Sequence, residues 1–416
     1  MRSVLRRLVL GAAFLAVLLQ AAEVGAALGP IKIGFIAPRT GYAAPNGRDL
    51  TDGLMLALAQ AGQQVAGRPI RVIAEDDQNT PAQTLTKARK LVELDGVDVL
   101  FGVVSAASGY ALRDYVDAHH VPTIYPVVAS DDLTQRKRSA WIVRTGWSSS
   151  QPEHPFGEYA ARVLRYHRIA TIAYDFSFGW ESVEGFQDTF ERAGGRVVAH
   201  LWPPQGTPDY SPYLARIPLT GSDRVDAVFA VFSGTDALRF LQQYRAFGLE
   251  GRVPLLGGGT LTDEHILFQE GDLARGVITA LHYSAALKTP ANLDFVRAYT
   301  RASSRVPSYY AEGSYTAARI LLAALEALHG RVEDKAALVG AMRRVVLPDA
   351  PRGPVRFDAW GNPIENVYIR RVDIVQGEPQ NSVIFTYPHV SQFWTVPPEE
   401  YLREPVYTRD YPPAHP

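Results

Sequence analysis

Residues 31–37 (IKIGFIA) form a short apolar run that Pro38 ends and Thr40-Gly41 follows. A run of that length bounded by turn signals predicts a buried parallel strand. Helical spacing follows over 46–61, then a strand at 70–75. In the next segment Ala82, Leu85, Ala88 and Leu91 recur every three residues and share one helix face. A strand at 97–101, a helix over 106–118 and a strand at 121–125 complete the block. The same rhythm restarts at 168–174 and runs through 195–200 and 225–231 to 253–256. Strands alternating with helices in this way predict doubly wound α/β sheets. Residues 146–157, rich in Ser, Pro and Gly, separate the two blocks, so two similar lobes are expected. Longer helices are predicted at 292–302, 312–328 and 335–346. Late strands at 355–357 and 366–375 flank the turn Trp360-Gly361-Asn362-Pro363.

Both ends of the chain break this pattern. Arg2, Arg6 and Arg7 precede an apolar run from Leu8 to Leu19, and Val24 and Ala26 stand at the minus-three and minus-one positions of a cleavage point. This is the arrangement of a secretory signal peptide, 1–26. A membrane span needs about 20 apolar residues, and Gln20 and Glu23 end this run too early for an uncleaved anchor. At the other end, 386–416 holds seven prolines and six aromatics. That much proline excludes regular structure, and that many aromatics argue against a free tail. An extended segment lying across a lobe is expected, with a docking surface for a partner as the alternative.

Composition narrows the function. The chain has 416 residues, 47% of them hydrophobic and 20% charged, as in ordinary globular proteins. Its formal net charge is −1, and loss of 1–26, with three arginines and one glutamate, takes it to −3. Nucleic-acid binders carry a basic excess, so no nucleic-acid partner is expected. The absence of cysteine removes disulfides, thiolate metal sites, thiol nucleophiles and a lipid anchor on cysteine. Neither a metal nor a cofactor is expected, and no catalytic residue is assigned. Gly257-Gly258-Gly259-Thr260 lacks the dinucleotide spacing, and Ser105 and Ser108 lie outside any G-x-S-x-G elbow. His154 and His265 have no metal-type spacing to other ligands. Glu75-Asp76-Asp77 reads as a cap or cleft rim before Pro81.

What remains is a set of polar and aromatic loops at strand ends: 39–46, 105–108, 125–130, 178–180, 233–235 and 259–260. Ligands of open α/β sheets bind outside the carboxyl ends of strands. Helix starts there offer free N–H groups to an anion. Two such lobes make a cleft that can close on a small molecule.

From Ile31 to about Val375 the chain resembles the periplasmic substrate-binding proteins of branched-chain amino acid ABC transporters, the Leu/Ile/Val-binding-like group. The resemblance rests on IKIGFIAPRTG at 31–41, EDDQNTPA at 75–82, GVVS at 102–105 and VPTIYPVVAS at 121–130 with DLT at 132–134. It continues through GTDALRFL at 234–241, TPAN at 289–292, PSYYA at 307–311 and GPVRFDAWG at 353–361. It implies an α/β protein that is not an enzyme: two Rossmann-like lobes with doubly wound parallel sheets, joined by three crossovers, the type I periplasmic binding fold. The first lobe would comprise 27–145 and 281–362, and the second 146–280 and 363–385, with 386–416 as an appended segment. Its partners would be a small-molecule ligand and ABC permease subunits of the inner membrane, with the protein itself a periplasmic monomer.

The departures from that pattern bear on the ligand. In amino-acid binders of the family a serine contacts the ligand carboxylate, and ungapped alignment places Ala106 there, beside Ser105. The threonine and the acidic residue that hold the α-ammonium correspond to Ala129 and Gly259, and the tyrosine of the second lobe corresponds to Phe178, followed by Trp180. A buried ammonium without its counter-charge costs several kcal/mol, so a standard amino acid is disfavoured. The expected ligand is a small organic acid, aromatic in one version. It would be seated by Ser105, Ser130 and backbone N–H groups, with Arg39 as a further candidate. Tyr42, Asn46, Tyr125 and Tyr310 would line the first lobe, and Phe178, Trp180, Ser233 and Thr260 the second. The Tyr125-Pro126 pair is also similar to amide- and urea-binding relatives, which keeps a neutral amide open. A ligand sensor reporting to a signalling partner and an exported α/β enzyme are the other classes weighed.

Overall fold

The structure is a computed structural model that describes residues 29–415; the expected signal peptide, 1–26, lies outside them. The first sheet is built from β1 (Ile31–Ala37), α1 (Ala44–Gln60), β2 (Gln64–Val65), β3 (Arg68–Asp76), α2 (Pro81–Arg89), β4 (Val99–Gly102), α3 (Ala106–His119), β5 (Thr123–Tyr125) and β6 (Ile142–Arg144). Its strand order is β2-β3-β1-β4-β5-β6, parallel except for the β2 edge. Ile31, Ile33 and Phe35 on one face of β1 and Ile36 on the other are all buried. Burial on both faces is what turns a parallel strand into a continuous apolar run.

The second block supplies α4 (Glu153–Arg162), β7 (Arg168–Ala173), α5 (Ser177–Arg192), β8 (Arg196–Leu201), α6 (Ser211–Leu214), β9 (Ala227–Val231), α7 (Gly234–Ala246), β10 (Leu255–Gly258), α8 (Glu264–Glu270) and β11 (Ile278–Leu281). The chain then returns to the first lobe as α9 (Pro290–Ser303), α10 (Tyr309–Ala327) and α11 (Lys335–Arg344). It ends in the second lobe with β12 (Arg356–Phe357), β13 (Pro363–Val375), β14 (Glu378–Val390) and the short α12 (Pro398–Tyr401). The second sheet runs β12-β13-β11-β10-β9-β7-β8, with β13 antiparallel to β11 and β14 paired to β13. Helix α10 packs along α1 at Gly53, where a Cβ would stand 2.1 Å from the carbonyl oxygen of Ala311. Only glycine permits that approach.

Two expected boundaries shift. β12 lies in the range assigned to the first lobe, yet it pairs with β13 of the second sheet. Residues 386–390 are not an extended appendage but the end of β14, whose pairing partner β13 is thirteen residues long. Beyond Val390 the chain packs in turns rather than in one extended run. Phe393 and Tyr401 are buried, and Gln187 and Val197 of the second lobe hydrogen-bond to Pro413 and His415. Arg136 of the first lobe donates to the carbonyl oxygens of Tyr401 and Glu404. The segment therefore touches both lobes.

The three crossovers are tied together by buried arginines. Arg352, with no exposed surface, lies 2.6 Å from Glu312 on α10 and 2.9 Å from Glu365 on β13, and donates to the Thr145 carbonyl oxygen at 3.3 Å. Arg370 donates to the carbonyl oxygens of Gly259 and Tyr283. No helix among the described residues is long and apolar enough to cross a membrane.

Candidate functional site

The carboxyl ends of the parallel strands of both lobes face one cavity. From the first lobe, the loop after β1 brings Tyr42, Ala43 and Asn46, and the loop after β3 brings Asn79. The β4 and β5 loops add Val104, Ser105, Ala106, Val127 and Ala129. From the second lobe come Tyr174, Phe176 and Phe178 after β7, Gln205 after β8, Ser233 after β9 and Thr260 after β10. Trp147, in the first crossover, and Tyr309 and Tyr310, at the start of α10, close the floor.

Two features set the chemistry. Among the described residues that line the cavity, none is Asp, Glu, Lys, Arg or His, while seven are aromatic. Four helices begin at its wall, α1, α3, α5 and α7, with Ala43, Ser105, Phe176 and Ser233 as their N-caps, and none of these side chains caps its helix. The first N–H groups of α3 and α5 lack an intrahelical acceptor, and the aligned peptide dipoles place partial positive charge at each start; Pro45 in the first turn of α1 and Asp236 in that of α7 weaken the other two. The wall is thus apolar and aromatic with a positive backbone potential, which suits an anion on a flat apolar body.

The aromatic floor is interlocked. Trp147 meets Phe178 and Tyr309 edge-on, both at 6.0 Å between ring centres, and Tyr309 and Tyr310 lie 4.1 Å apart. Burial pushes the Tyr309 and Tyr310 hydroxyls above the usual phenol range, so both stay protonated. The Tyr174 hydroxyl accepts from the Ser233 N–H at 3.3 Å and lies 3.2 Å from Asp236, to which it can donate. Across the mouth, the Tyr42 hydroxyl accepts from Asn79 of its own lobe at 2.7 Å and from Gln205 of the other lobe at 3.0 Å. A second lobe-to-lobe link runs from the Tyr110 hydroxyl on α3 to Glu181 on α5 at 3.4 Å.

Of the residues expected at the site, Tyr42, Asn46, Ser105, Ala106, Ala129, Phe178, Ser233, Thr260 and Tyr310 line this cavity. Four lie elsewhere. Tyr125 is fully buried in the first-lobe core, with its hydroxyl donating to the Gly109 carbonyl oxygen at 3.1 Å. Ser130 is spent on the Ala106 carbonyl oxygen at 3.1 Å. Trp180, one turn into α5, donates its indole N–H to Asp175 at 3.1 Å. Gly259 sits behind Thr260, where a Cβ would be 2.6 Å from both the Ala280 carbonyl oxygen and the Leu281 Cβ, so no acidic side chain fits there. Arg39 is exposed and its N–H binds Asp76. Trp147, Asn79, Tyr174, Phe176, Gln205 and Tyr309 were not anticipated. The only trace of Trp147 in the sequence is a lone indole inside a Ser-rich connection. A second hollow, between 131–136, α5 and the C-terminal segment, is lined by Asp131, Asp132, Glu181 and Asp188 together with Arg136 and Arg192.

Residues 30–379 match the family described as periplasmic binding protein. The chain belongs to the periplasmic binding protein family. Leu/Ile/Val-binding protein homolog 6 of Brucella melitensis biotype 1 is 29% identical over 347 residues, covering 82% of this chain and 87% of that protein. An ABC transporter substrate-binding protein from Sphaerobacter thermophilus is 35% identical with a TM-score of 0.83, over 87% of this chain and 99% of that one. A solute-binding protein of an ABC transporter from Rhodopseudomonas palustris BisB5, solved with 3,4-dihydroxybenzoic acid, is 30% identical with a TM-score of 0.82, over 87% and 98%. This periplasmic binding protein is accordingly a solute-binding component of the ABC-transporter class, and its family is not one of enzymes.

Proposed function

We propose that this binding protein captures a small aromatic carboxylate between its lobes in the periplasm and, as a monomer, delivers it to the permease of an ABC importer. The observation that carries the reading is the cavity wall: seven aromatic side chains, no ionisable group of either sign except phenols among the described residues, and four uncapped helix starts. An α-ammonium would enter this wall without a counter-charge, at a cost of several kcal/mol. A carboxylate meets backbone N–H groups instead. The relative that holds 3,4-dihydroxybenzoic acid supports the same ligand class. Ligand binding shifts the open–closed equilibrium through contacts to both lobes, and the permease would read the closed form.

Calorimetry against benzoate, its hydroxylated forms, benzamide, leucine and valine tests the ligand. Binding of the aromatic acids, with benzamide weaker and the amino acids silent, is the expected result. Tight binding of leucine or valine would overturn the assignment. Co-purification with permease subunits, rather than with a signalling receptor, tests the partner.

A further inference from the structure

Trp147 occupies an unusual place. It follows β6 in the first crossover and is 1% exposed, yet its indole Nε1–H has no acceptor among the described residues. Buried polar groups are nearly always paired, and an unpaired donor is costly. The ring cannot easily swing to find a protein partner. The Trp147 carbonyl oxygen accepts from Arg144 at 3.1 Å, and the next N–H, of Ser148, donates to Gln151 at 3.2 Å. A Cβ on the preceding Gly146 would stand 2.3 Å from the Pro126 carbonyl oxygen. The ring itself is gripped from three sides. Phe178 of the second lobe and Tyr309 of the first meet it edge-on, at 85° and 86°, and His282 of the second crossover lies 5.8 Å away.

The free N–H belongs to a residue lining the ligand cavity. We propose that Trp147 is a specificity-determining residue carried by the hinge: its Nε1–H donates to an anionic oxygen of the ligand, and that bond fixes the crossover on which the lobes turn. The proposal rests on the aromatic-carboxylate reading above and adds the residue that recognises the charge. A hydrogen bond to an ionised acceptor is roughly twice as strong as one to a neutral acceptor, so this donor favours an acid over the isosteric amide. It also explains how a site without a cationic side chain couples anion binding to closure. The same ring contacts both lobes and the second crossover, so a ligand that holds the indole holds the hinge.

The test is Trp147→Phe, which keeps an aromatic body and deletes the donor. Calorimetry with benzoate, 4-hydroxybenzoate and benzamide should show affinity for the acids falling by about 10- to 100-fold, with benzamide changed much less. The ligand-free melting temperature should fall only by what the smaller ring loses in packing, because no protein hydrogen-bond acceptor is lost. Wild-type affinity for the acids in the variant would overturn the proposal, as would an equal loss for acid and amide. If the wild-type protein binds benzamide or leucine and none of the acids, the carboxylate reading fails by itself. An unchanged affinity of Trp147→Phe for that ligand would then overturn the Trp147 assignment too. A measurement independent of the variant's folding is the indole N–H spectrum of the tryptophan-labelled wild type, with Trp180→Phe used to identify the other indole near the cleft. One indole resonance should move downfield on adding benzoate, and no movement would overturn the proposal.

Discussion

Replacing Arg352 by methionine should remove the charge that ties the first and third crossovers to α10. Its guanidinium lies 2.6 Å from Glu312 and 2.9 Å from Glu365, all three side chains are essentially without solvent contact, and Thr145 of the first crossover accepts a further bond. Burial pushes the Glu365 carboxyl up to about 8 against the pull of Arg352, and Glu312 is the nearer of the two carboxyl groups to the guanidinium. Methionine fills much of the arginine volume but leaves Glu312 buried with no counter-charge. Breaking a buried pair from one side costs about 3–5 kcal/mol. With a urea slope of about 3 kcal/mol per molar, the unfolding midpoint should fall by roughly 1–1.7 M. Adding Glu312→Gln removes the stranded charge, so the double variant should recover more than half of the loss. A single-variant loss below about 1 kcal/mol, the range of an exposed ion pair, would refute the reasoning, as would a double variant no better than the single.

Three further outcomes follow from the same geometry. Gln205→Ala removes the bond that spans the cleft mouth to Tyr42, so stopped-flow dissociation of the ligand should speed up by roughly 2- to 10-fold, the worth of one ordinary hydrogen bond; an unchanged rate would show that the mouth does not limit release. His154 is buried beside Tyr401 and Tyr407, and burial pushes its pKa down from the ordinary value to about 3. The unfolded chain takes up this proton first, so stability is complete above about pH 6.5 and falls below it by up to about 1.4 kcal/mol per pH unit. The melting temperature should therefore drop between pH 7 and 5, and less so in His154→Gln. Ending the chain at Val390 uncovers the surface against which Phe393 and Tyr401 pack. At about 1.5–3 kcal/mol for each large side chain, denaturation should show a loss of about 3–6 kcal/mol. Ligand affinity should stay within a few-fold, since among the described residues none that lines the cleft cavity lies beyond 390.

Much of the fold was legible because a strand buried on both faces must be apolar along its whole length. IKIGFIA and the runs that became β7 and β9 carry that requirement openly. Only one strand of the β13–β14 hairpin carries an apolar signature in the sequence. β14 is mostly half-exposed and carries Pro379, Asn381 and Pro388, so it lacks the apolar signature, and only its pairing to β13 makes it a strand. The missing ammonium partner was also legible, since Ala129 and Gly259 cannot supply a charge, and packing adds that nothing larger than glycine fits at 259.

The sequence alone could determine which loops would gather at the strand ends, because loop position follows from strand order. It could not determine which side chains of those loops would face inward. Phe176, Phe178 and Trp180 are spaced alike, yet the start of α5 at Ser177 turns the first two into the cavity and sends Trp180 to Asp175. Tyr125 and Ser130 were drawn off by partners at Gly109 and Ala106, which local spacing does not reveal. Trp147 belongs to a connection with no periodicity to read. Its role depends on two lobes and two crossovers meeting around one ring, and only the tertiary structure brings them together.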